Sequence, residues 1–476
     1  MNITDRVKTN IIFKFIGEFV SRLIIIFFYI YVARKLGDAG FGKYSFAISF
    51  CGLFMVFMDM GINTLLIREI AKEKNRTYEY VSNITTLKII LSVFVFILIS
   101  LTISILKYPS DTRKLVMIMA FVTIGVAFLE YLCAVFSSWE KMDYEAWIKI
   151  FNKIIVTILG ISILLLGYGL NIFIASIAVG YFITIILGIY LINRNIIRIG
   201  LKYDLLFWIK AVRDALPLGL SMVFILIAQK IDIVLLSFFN TPESKIGWYS
   251  AGIKIIEVLH SIPFIISGAI FPVLCDIYAN RQDSFKIMYE RLIKYISIIV
   301  VPIVFGIFIL ADKIVVLVYG RGYINTIYSL RITIWSVMFI FFNFILTNLL
   351  VTVNKQKYNA ISTFVCMLSS IIFNIILIPK YGYIGTSICV LTTQLILFLF
   401  NLIFLSSDMD LKTFSSSMKP LIAGILMSVI IVLFNSLNLF ILIIIGAIVY
   451  FLVIWLIRTF DDIDLVVIRK MIKGVI

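Results

Sequence analysis

The sequence predicts an all-α integral membrane protein of about fourteen transmembrane helices, built as two six-helix lobes with two further helices at the C-terminal end. Three observations predict it: long apolar stretches end to end, charges gathered mostly in the short segments between them, and short motifs recurring at a near-constant offset. Of 476 residues, 62% are hydrophobic and 14% charged, with a mean hydropathy of +1.10. Soluble domains carry about 25% charge. A span needs roughly 20 apolar residues, at about 1.5 Å each, to cross about 30 Å of hydrocarbon.

In order, the spans fall at about 11–33, 44–67, 81–106, 115–137, 147–167 and 170–192, then about 214–239, 248–274, 292–319, 327–353, 358–378 and 382–406. Two more follow at about 420–436 and 437–457. The expected organisation is an N-lobe over 1–200 (helices 1–6), a cytoplasmic linker at 201–213 and a C-lobe over 214–406 (helices 7–12). Helices 13 and 14 occupy 407–457, and a cytoplasmic tail occupies 458–476. That tail mixes Leu465, Val466, Ile468, Met471 and Ile472 with Arg469, Lys470 and Lys473, so it reads either as an amphipathic surface helix or as a solvated tail. Met1–Thr9 is polar, and no removable signal peptide is expected.

The formal charge of +16 sets topology and is not a nucleic-acid signature. Arg68, Lys72, Lys74, Arg76, Lys141, Arg194, Arg198, Lys202, Lys210, Arg281, Lys286, Lys355 and Lys357 fall on one side of the predicted membrane, with Lys412, Lys419 and the tail. The opposite loops at 167–170 and 435–438 carry no basic residue, and those at 34–43 and 107–114 are basic exceptions. The balance places both termini in the cytoplasm of a plasma-membrane protein. Cys51, Cys133, Cys275, Cys366 and Cys389 form no CxxC, and a single histidine argues against a catalytic zinc site.

The repeat is visible without an alignment. Gly42-Lys43-Tyr44-Ser45 opens the second span, and Gly247-Trp248-Tyr249-Ser250 opens the eighth, 205 positions later. Asn75-Arg76 and Asn280-Arg281 share that offset. Tyr168-Gly169 and Tyr381-Gly382 are separated by 213. An even number of spans per repeat gives both copies one orientation, with a substrate path between two bundles.

Charges inside spans are costly, so they mark function. Lys14, Glu18 and Arg22 stand at i, i+4 and i+8 on one face of the first helix, two cations to one anion. The row reads either as a cavity-facing site or as a self-neutralising ladder. Lys230 and Asp232 interrupt the seventh span; two apart, they point in different directions, and each needs a partner on another helix. In the eighth, Lys254 and Glu257 share a face, and His260, a core imidazole or a proton-coupling group, precedes a kink at Pro263. Asp59, Lys88, Glu130, Lys153, Lys294 and Arg331 are further candidates for lining the path. A surplus of Lys and Arg suits a phosphate or pyrophosphate.

Ala33-Arg34-Lys35-Leu36-Gly37, Phe41-Gly42-x-Tyr44-Ser45 and Gly61-x-Asn63-x-Leu65-Leu66-Ile67-Arg68-Glu69 resemble signatures of the polysaccharide transporter family. Gly247-Trp248-Tyr249-Ser250-Ala251, Ile262-Pro263 with Phe271-Pro272, and Asn374 through Pro379-Lys380-Tyr381-Gly382-x-x-Gly385 fit it too. That family, which includes O-antigen repeat-unit flippases, lies within the multidrug/oligosaccharidyl-lipid/polysaccharide exporter superfamily. The resemblance covers roughly residues 5–405 and implies a V-shaped bundle working by alternating access. Its implied cargo is a polyprenyl-(pyro)phosphate oligosaccharide, flipped from the cytoplasmic to the outer leaflet for surface glycan synthesis.

On that reading Arg22, supported by Lys14, Lys230 and Lys254, contacts the headgroup, while Glu18, Asp232, Glu257 and His260 balance charge or couple to H⁺ or Na⁺. No other cofactor and no nucleic acid is expected. The partners are the lipid-linked glycan, membrane lipids, and a polymerase or glycan-transferring enzyme. The alternatives are a flippase for the lipid-linked peptidoglycan precursor and a cation-coupled multidrug exporter. An enzyme is not expected, since the outer loops are too short for a catalytic domain. Members of the family lack an ATPase, and no GxxxxGK[ST] loop is present here, so energy is expected from ion gradients or from consumption of the product outside.

Overall fold

The structure, a computed structural model, describes residues 3–280, 282–406 and 415–460, and its side chains are described from residue 17 onward, except at 265, 269 and 282–284. The tail over 461–476 lies outside the described residues. All regular elements among the described residues are helical. They are α1 (Ile3–Phe54), α2 (Val56–Asp59), α3 (Ile62–Lys72), α4 (Thr77–Ile105), α5 (Ser110–Ser138), α6 (Met142–Leu165), α7 (Leu170–Asn195) and α8 (Leu205–Phe238). The chain continues through α9 (Glu243–Leu259), α10 (Ser261–Asn280), α11 (Gln282–Tyr319), α12 (Thr326–Thr352), α13 (Gln356–Tyr381), α14 (Tyr383–Leu405), α15 (Met418–Leu433) and α16 (Leu439–Leu456).

Thirteen helical runs among the described residues are long and apolar enough to cross a membrane. The first, Gly17–Lys72, counts twice. Its 56 residues would be about 84 Å long if straight, more than twice the hydrocarbon thickness. It folds back at Gly37, whose φ of 69° is open to glycine and costly for other residues. The rings of Tyr29 and Tyr44 prove the reversal: their centroids are 6.4 Å apart, against about 22 Å along a straight helix. About fourteen crossings result, as the hydropathy predicts.

The second crossing departs from its prediction as one uninterrupted span. It breaks at Met60 and Gly61, with φ of 40° and 90°. Helix α8 passes so close that a Cβ on Gly61 would fall on the Ala215 carbonyl and on Gly219. The break frees the Met58 carbonyl, and the Lys88 ammonium from α4 takes it at 3.0 Å. Near His260 the helix also turns, between α9 and α10, so Pro263 sits in the first turn of α10, where its missing N–H costs nothing.

Two compact units make up the chain. The first comprises Met1–Ser250 and Cys366–Thr386. Its core joins α1 and α7 through Phe28, Phe41, Tyr44 and Phe173, with Phe28 and Phe173 stacked at 6.0 Å and Gly160 of α6 against both rings. Here the predicted repeat takes physical form. A Cβ on Gly42 would strike the Glu243 carbonyl, and one on Gly247 would strike the Asp38 carbonyl. Lys43 pairs with Glu243 at 3.3 Å, while the Trp248 indole donates to Asp38 at 2.9 Å. Lys43 also reaches Asp111 at 2.6 Å.

The second unit comprises Ala251–Val365 and Ser387–Ile476. In it α11 packs on α12, α15 and α16. Trp335 of α12 sits between Phe305 and Phe308, and the Tyr450 hydroxyl donates to the Ile298 carbonyl at 3.0 Å. A polar seam runs along α12 and α14: the Ser329 and Ser387 hydroxyls meet at 2.8 Å, and Asn343 donates to the Gln394 carbonyl at 3.1 Å. Such bonds hold apolar helices in register where lipid supplies little drive for their association.

Candidate functional site

In the first unit the structure joins Glu18 and Arg22 to two residues of α6, Glu145 and Lys149, that the charge pattern did not single out. Arg22 Nε lies 3.7 Å from one Glu18 oxygen. The Lys149 ammonium of α6 lies 3.0 Å from the other and 3.0 Å from Glu145, one turn earlier on α6. The Ser137 hydroxyl donates to the second Glu145 oxygen. Two cations thus face two carboxylates, and these four groups are formally balanced. Their side chains are 35% (Arg22), 28% (Glu18), 16% (Lys149) and 7% (Glu145) exposed, a gradient from an open end to a buried one. Gly17 permits the approach, since a Cβ there would overlap Ala146. Gly17, Glu18, Glu145, Ala146 and Lys149 line a narrow crevice between α1 and α6. The side chain of Lys14 lies outside the described residues.

Asp232 occupies a second polar centre of the same unit. It is buried, and its carboxylate accepts hydrogen bonds from Tyr249 Oη at 2.9 Å, Asn374 Nδ2 at 2.7 Å and Ser370 Oγ at 3.2 Å. The partners come from other helices, α9 and α13, as the two-residue spacing from Lys230 requires. All three are neutral. Lys230 itself lies along α1, where a Cβ on Gly52 would meet its Cγ, Cδ and Cε at 3.6–3.8 Å.

Among the further candidates, Lys88 is fully buried and pairs with Asp59 at 3.5 Å, with the Tyr131 ring 5.7 Å away. Lys153 lies beside Tyr29 and Tyr181. Glu130 acts electrostatically on Lys88, Lys149 and Lys153. In the second unit, Lys254 and Glu257 pair at 2.6 Å one turn apart, and His260 marks the break between α9 and α10. Among the described residues no cluster of three His, Cys, Asp or Glu could hold a metal.

Residues 7–278, more than half of the chain, match the sequence model of the polysaccharide biosynthesis protein family. The chain belongs to that family. Residues 217–376 also match the MatE model. The "Putative O-antigen transporter" of Shigella flexneri is 24% identical over 394 residues, 80% of this chain and 93% of that protein. An uncharacterised membrane protein of Methanocaldococcus jannaschii is 20% identical over 436 residues, 86% of each chain. Among solved structures, the lipid II flippase MurJ in an inward closed conformation matches with a TM-score of 0.79 and 18% identity, over 94% of this chain and 99% of that one. An inward-facing multidrug transporter matches at 0.65 and 14% identity, over 81% and 95%.

The chain is therefore a multi-pass membrane protein of the polysaccharide biosynthesis protein family, and it shares its fold with those two transporters. Several motif residues of the family resemblance acquire a task. Gly61 makes the break in the second crossing, and Asp59 accepts from the Asn63 backbone amide at 3.1 Å beyond it. Tyr249 and Asn374 are two of the three donors that hold Asp232.

Proposed function

We propose that this chain flips polyprenyl-(pyro)phosphate-linked oligosaccharide units from the cytoplasmic to the outer leaflet of the plasma membrane, by alternating access and without catalysing a covalent step. The observation that carries the reading is Arg22, a guanidinium inside the first span of a polysaccharide-family chain, with 35% of its side chain exposed. A charge at that depth is costly unless it serves a polar path. A planar donor fork suits a phosphate. Sugar hydroxyls would lose their water in hydrocarbon, so the headgroup needs such a path while the polyprenyl tail stays in the bilayer.

Lys14, Lys230 and Lys254 support Arg22 in this reading, and Glu257 neutralises Lys254 in the empty carrier. Asp232 is the strongest candidate for coupling to H⁺ or Na⁺, because the three donors that hold its carboxylate are neutral. Both termini face the cytoplasm, and a polymerase or glycan-transferring enzyme takes the product on the outer side. The match to MatE favours multidrug export as a second reading.

Mass spectrometry of polyprenyl-linked glycans, with and without this gene, separates the two. The flippase reading expects one lipid-linked oligosaccharide to accumulate and the matching surface glycan to disappear. Complementation with Arg22→Ala should restore neither, at normal membrane levels of protein. Unchanged lipid-linked glycans in the deletion strain would favour drug export.

A further inference from the structure

Glu18 serves two cations at once, one through each oxygen: Arg22 at 3.7 Å and Lys149 at 3.0 Å. A phosphate offers the same thing, adjacent oxygens sharing one negative group. Glu145 differs. It is more buried, and its second oxygen is already taken by Ser137. Glu145 is therefore the fixed counter-ion of Lys149, and Glu18 the replaceable one at the open end of the gradient.

Charge balance decides what can bind. While Glu18 is ionised the four groups are formally neutral, and an anion attracted by Arg22 and Lys149 is repelled by the carboxylates between them. The groups around Glu18 sharpen this: Arg22 on its own helix, Glu145 and Lys149 on α6, and the Cys133 thiol of α5. Beyond them Glu130 of α5 acts on Lys149 and on Lys153, one negative and one positive charge that leave the local balance unchanged. Neutralising Glu18 removes one repulsive charge and gives two cations to the incoming anion.

We propose that Lys149 is a second ligand for the phosphate of the cargo, that the phosphate replaces Glu18 as the shared counter-ion of Arg22 and Lys149, and that Glu18 takes up one proton from solvent as it is displaced. The inference rests on the lipid-linked cargo reading and adds to it a residue and a proton stoichiometry.

The test uses the full chain in nanodiscs of zwitterionic lipid, with farnesyl pyrophosphate as probe and farnesol and inorganic pyrophosphate as comparators. Calorimetry in buffers of different ionisation enthalpy counts protons exchanged per probe bound. Wild-type protein should take up one proton more than Glu18→Gln, whatever the probe itself exchanges. Glu18→Gln should bind about tenfold more tightly, and Lys149→Met at least about tenfold more weakly, each near one decade of affinity. Lys149→Arg should bind normally. If Lys149→Met fails to fold because Glu145 is left buried and unpaired, Lys149→Met with Glu145→Gln replaces it.

Equal proton counts in wild type and Glu18→Gln, or undiminished binding by the Lys149 variants, would overturn the inference and leave the cargo reading standing. Failure of the wild type to bind the probe, or equal binding of farnesol, would overturn both. Binding of inorganic pyrophosphate as tightly as the probe, or loss of the probe when phosphatidylglycerol is added to the discs, would reassign the site to a free anion or a membrane lipid.

Discussion

The Lys88–Asp59 pair predicts an asymmetry that a list of contacts would miss. Both partners are charged and 3.5 Å apart, but Lys88 is fully buried and Asp59 is 33% exposed. At an effective dielectric near 20 their attraction is roughly 5 kcal/mol. Asp59→Asn leaves an ammonium enclosed by protein beside the Met58 carbonyl and the face of Tyr131, with the Glu130 carboxylate acting on it without an ion-pair contact, and should cost about 3–5 kcal/mol. Lys88→Met fills nearly the same space with no charge. It leaves the Met58 carbonyl unpaired, about 1–3 kcal/mol, and a carboxylate that is a third exposed and still accepts from the Asn63 amide. The double variant should be more stable than Asp59→Asn alone, because it removes the stranded charge. Denaturant unfolding of the four proteins in one detergent measures the cycle. Equal costs for the two single variants would refute the argument, since they would mean that Lys88 finds water when its partner is gone.

Two other sites give equally direct outcomes. Gly42→Ala and Gly247→Ala each drive a methyl into a backbone carbonyl that has no rotamer to yield, and each should cost about 1–3 kcal/mol, whereas Gly306→Ala, with nothing within 4 Å, should be neutral or stabilising by up to about 1 kcal/mol; thermal unfolding in detergent orders the three. At Asp232, Asn keeps an acceptor for the two donors of α13 and turns an amide donor to the Tyr249 hydroxyl of α9, which can accept, so it should fold normally yet lose transport, while Ala strands three donors at about 1–3 kcal/mol for each bond and should lose stability as well; transport with Asp232→Asn equal to wild type would remove Asp232 from coupling.

Much of this architecture was legible because hydrocarbon imposes a simple code: length and hydropathy place the crossings, and a backbone with no water must close its own hydrogen bonds in helices. The break at Met60–Gly61 was not, for Gly61 reads as a motif glycine, and only the approach of α8 makes it a turning point. Its signal was Lys88 in mid-span, a charge that demanded an acceptor. Glu18 and Arg22 were legible from their spacing on one face. Lys149 and Glu145 were not, since a Lys and a Glu near the start of a span read as ordinary end charges. The α1 partner of Lys149, Glu18, lies 131 residues away, and no local pattern encodes such a pairing. Asp232 shows the converse. The spacing from Lys230 required partners elsewhere, and two of them, Tyr249 and Asn374, were already marked as motif residues without a role.

The repeat offers a stricter check on reading sequence as structure. An offset of 205 carries Asp38 to Glu243, Gly42 to Gly247 and Lys43 to Trp248. In the first unit these positions meet reciprocally: Gly42 is pressed against the Glu243 carbonyl and Gly247 against the Asp38 carbonyl, while Lys43 reaches the Glu243 side chain and Trp248 reaches that of Asp38. Position i touching j, and the equivalent of j touching the equivalent of i, is the signature of a two-fold contact. The steric part has stayed symmetric, because a closely packed backbone admits only glycine at both positions. The polar part has diverged, to an ammonium–carboxylate pair on one side and an indole–carboxylate bond on the other, with Asp111 joining only Lys43. A side chain can change its chemistry within the same reach, but a carbonyl against a Cα cannot make room. The glycines therefore kept the repeat visible in the sequence, and the charged residues around them made the two halves different.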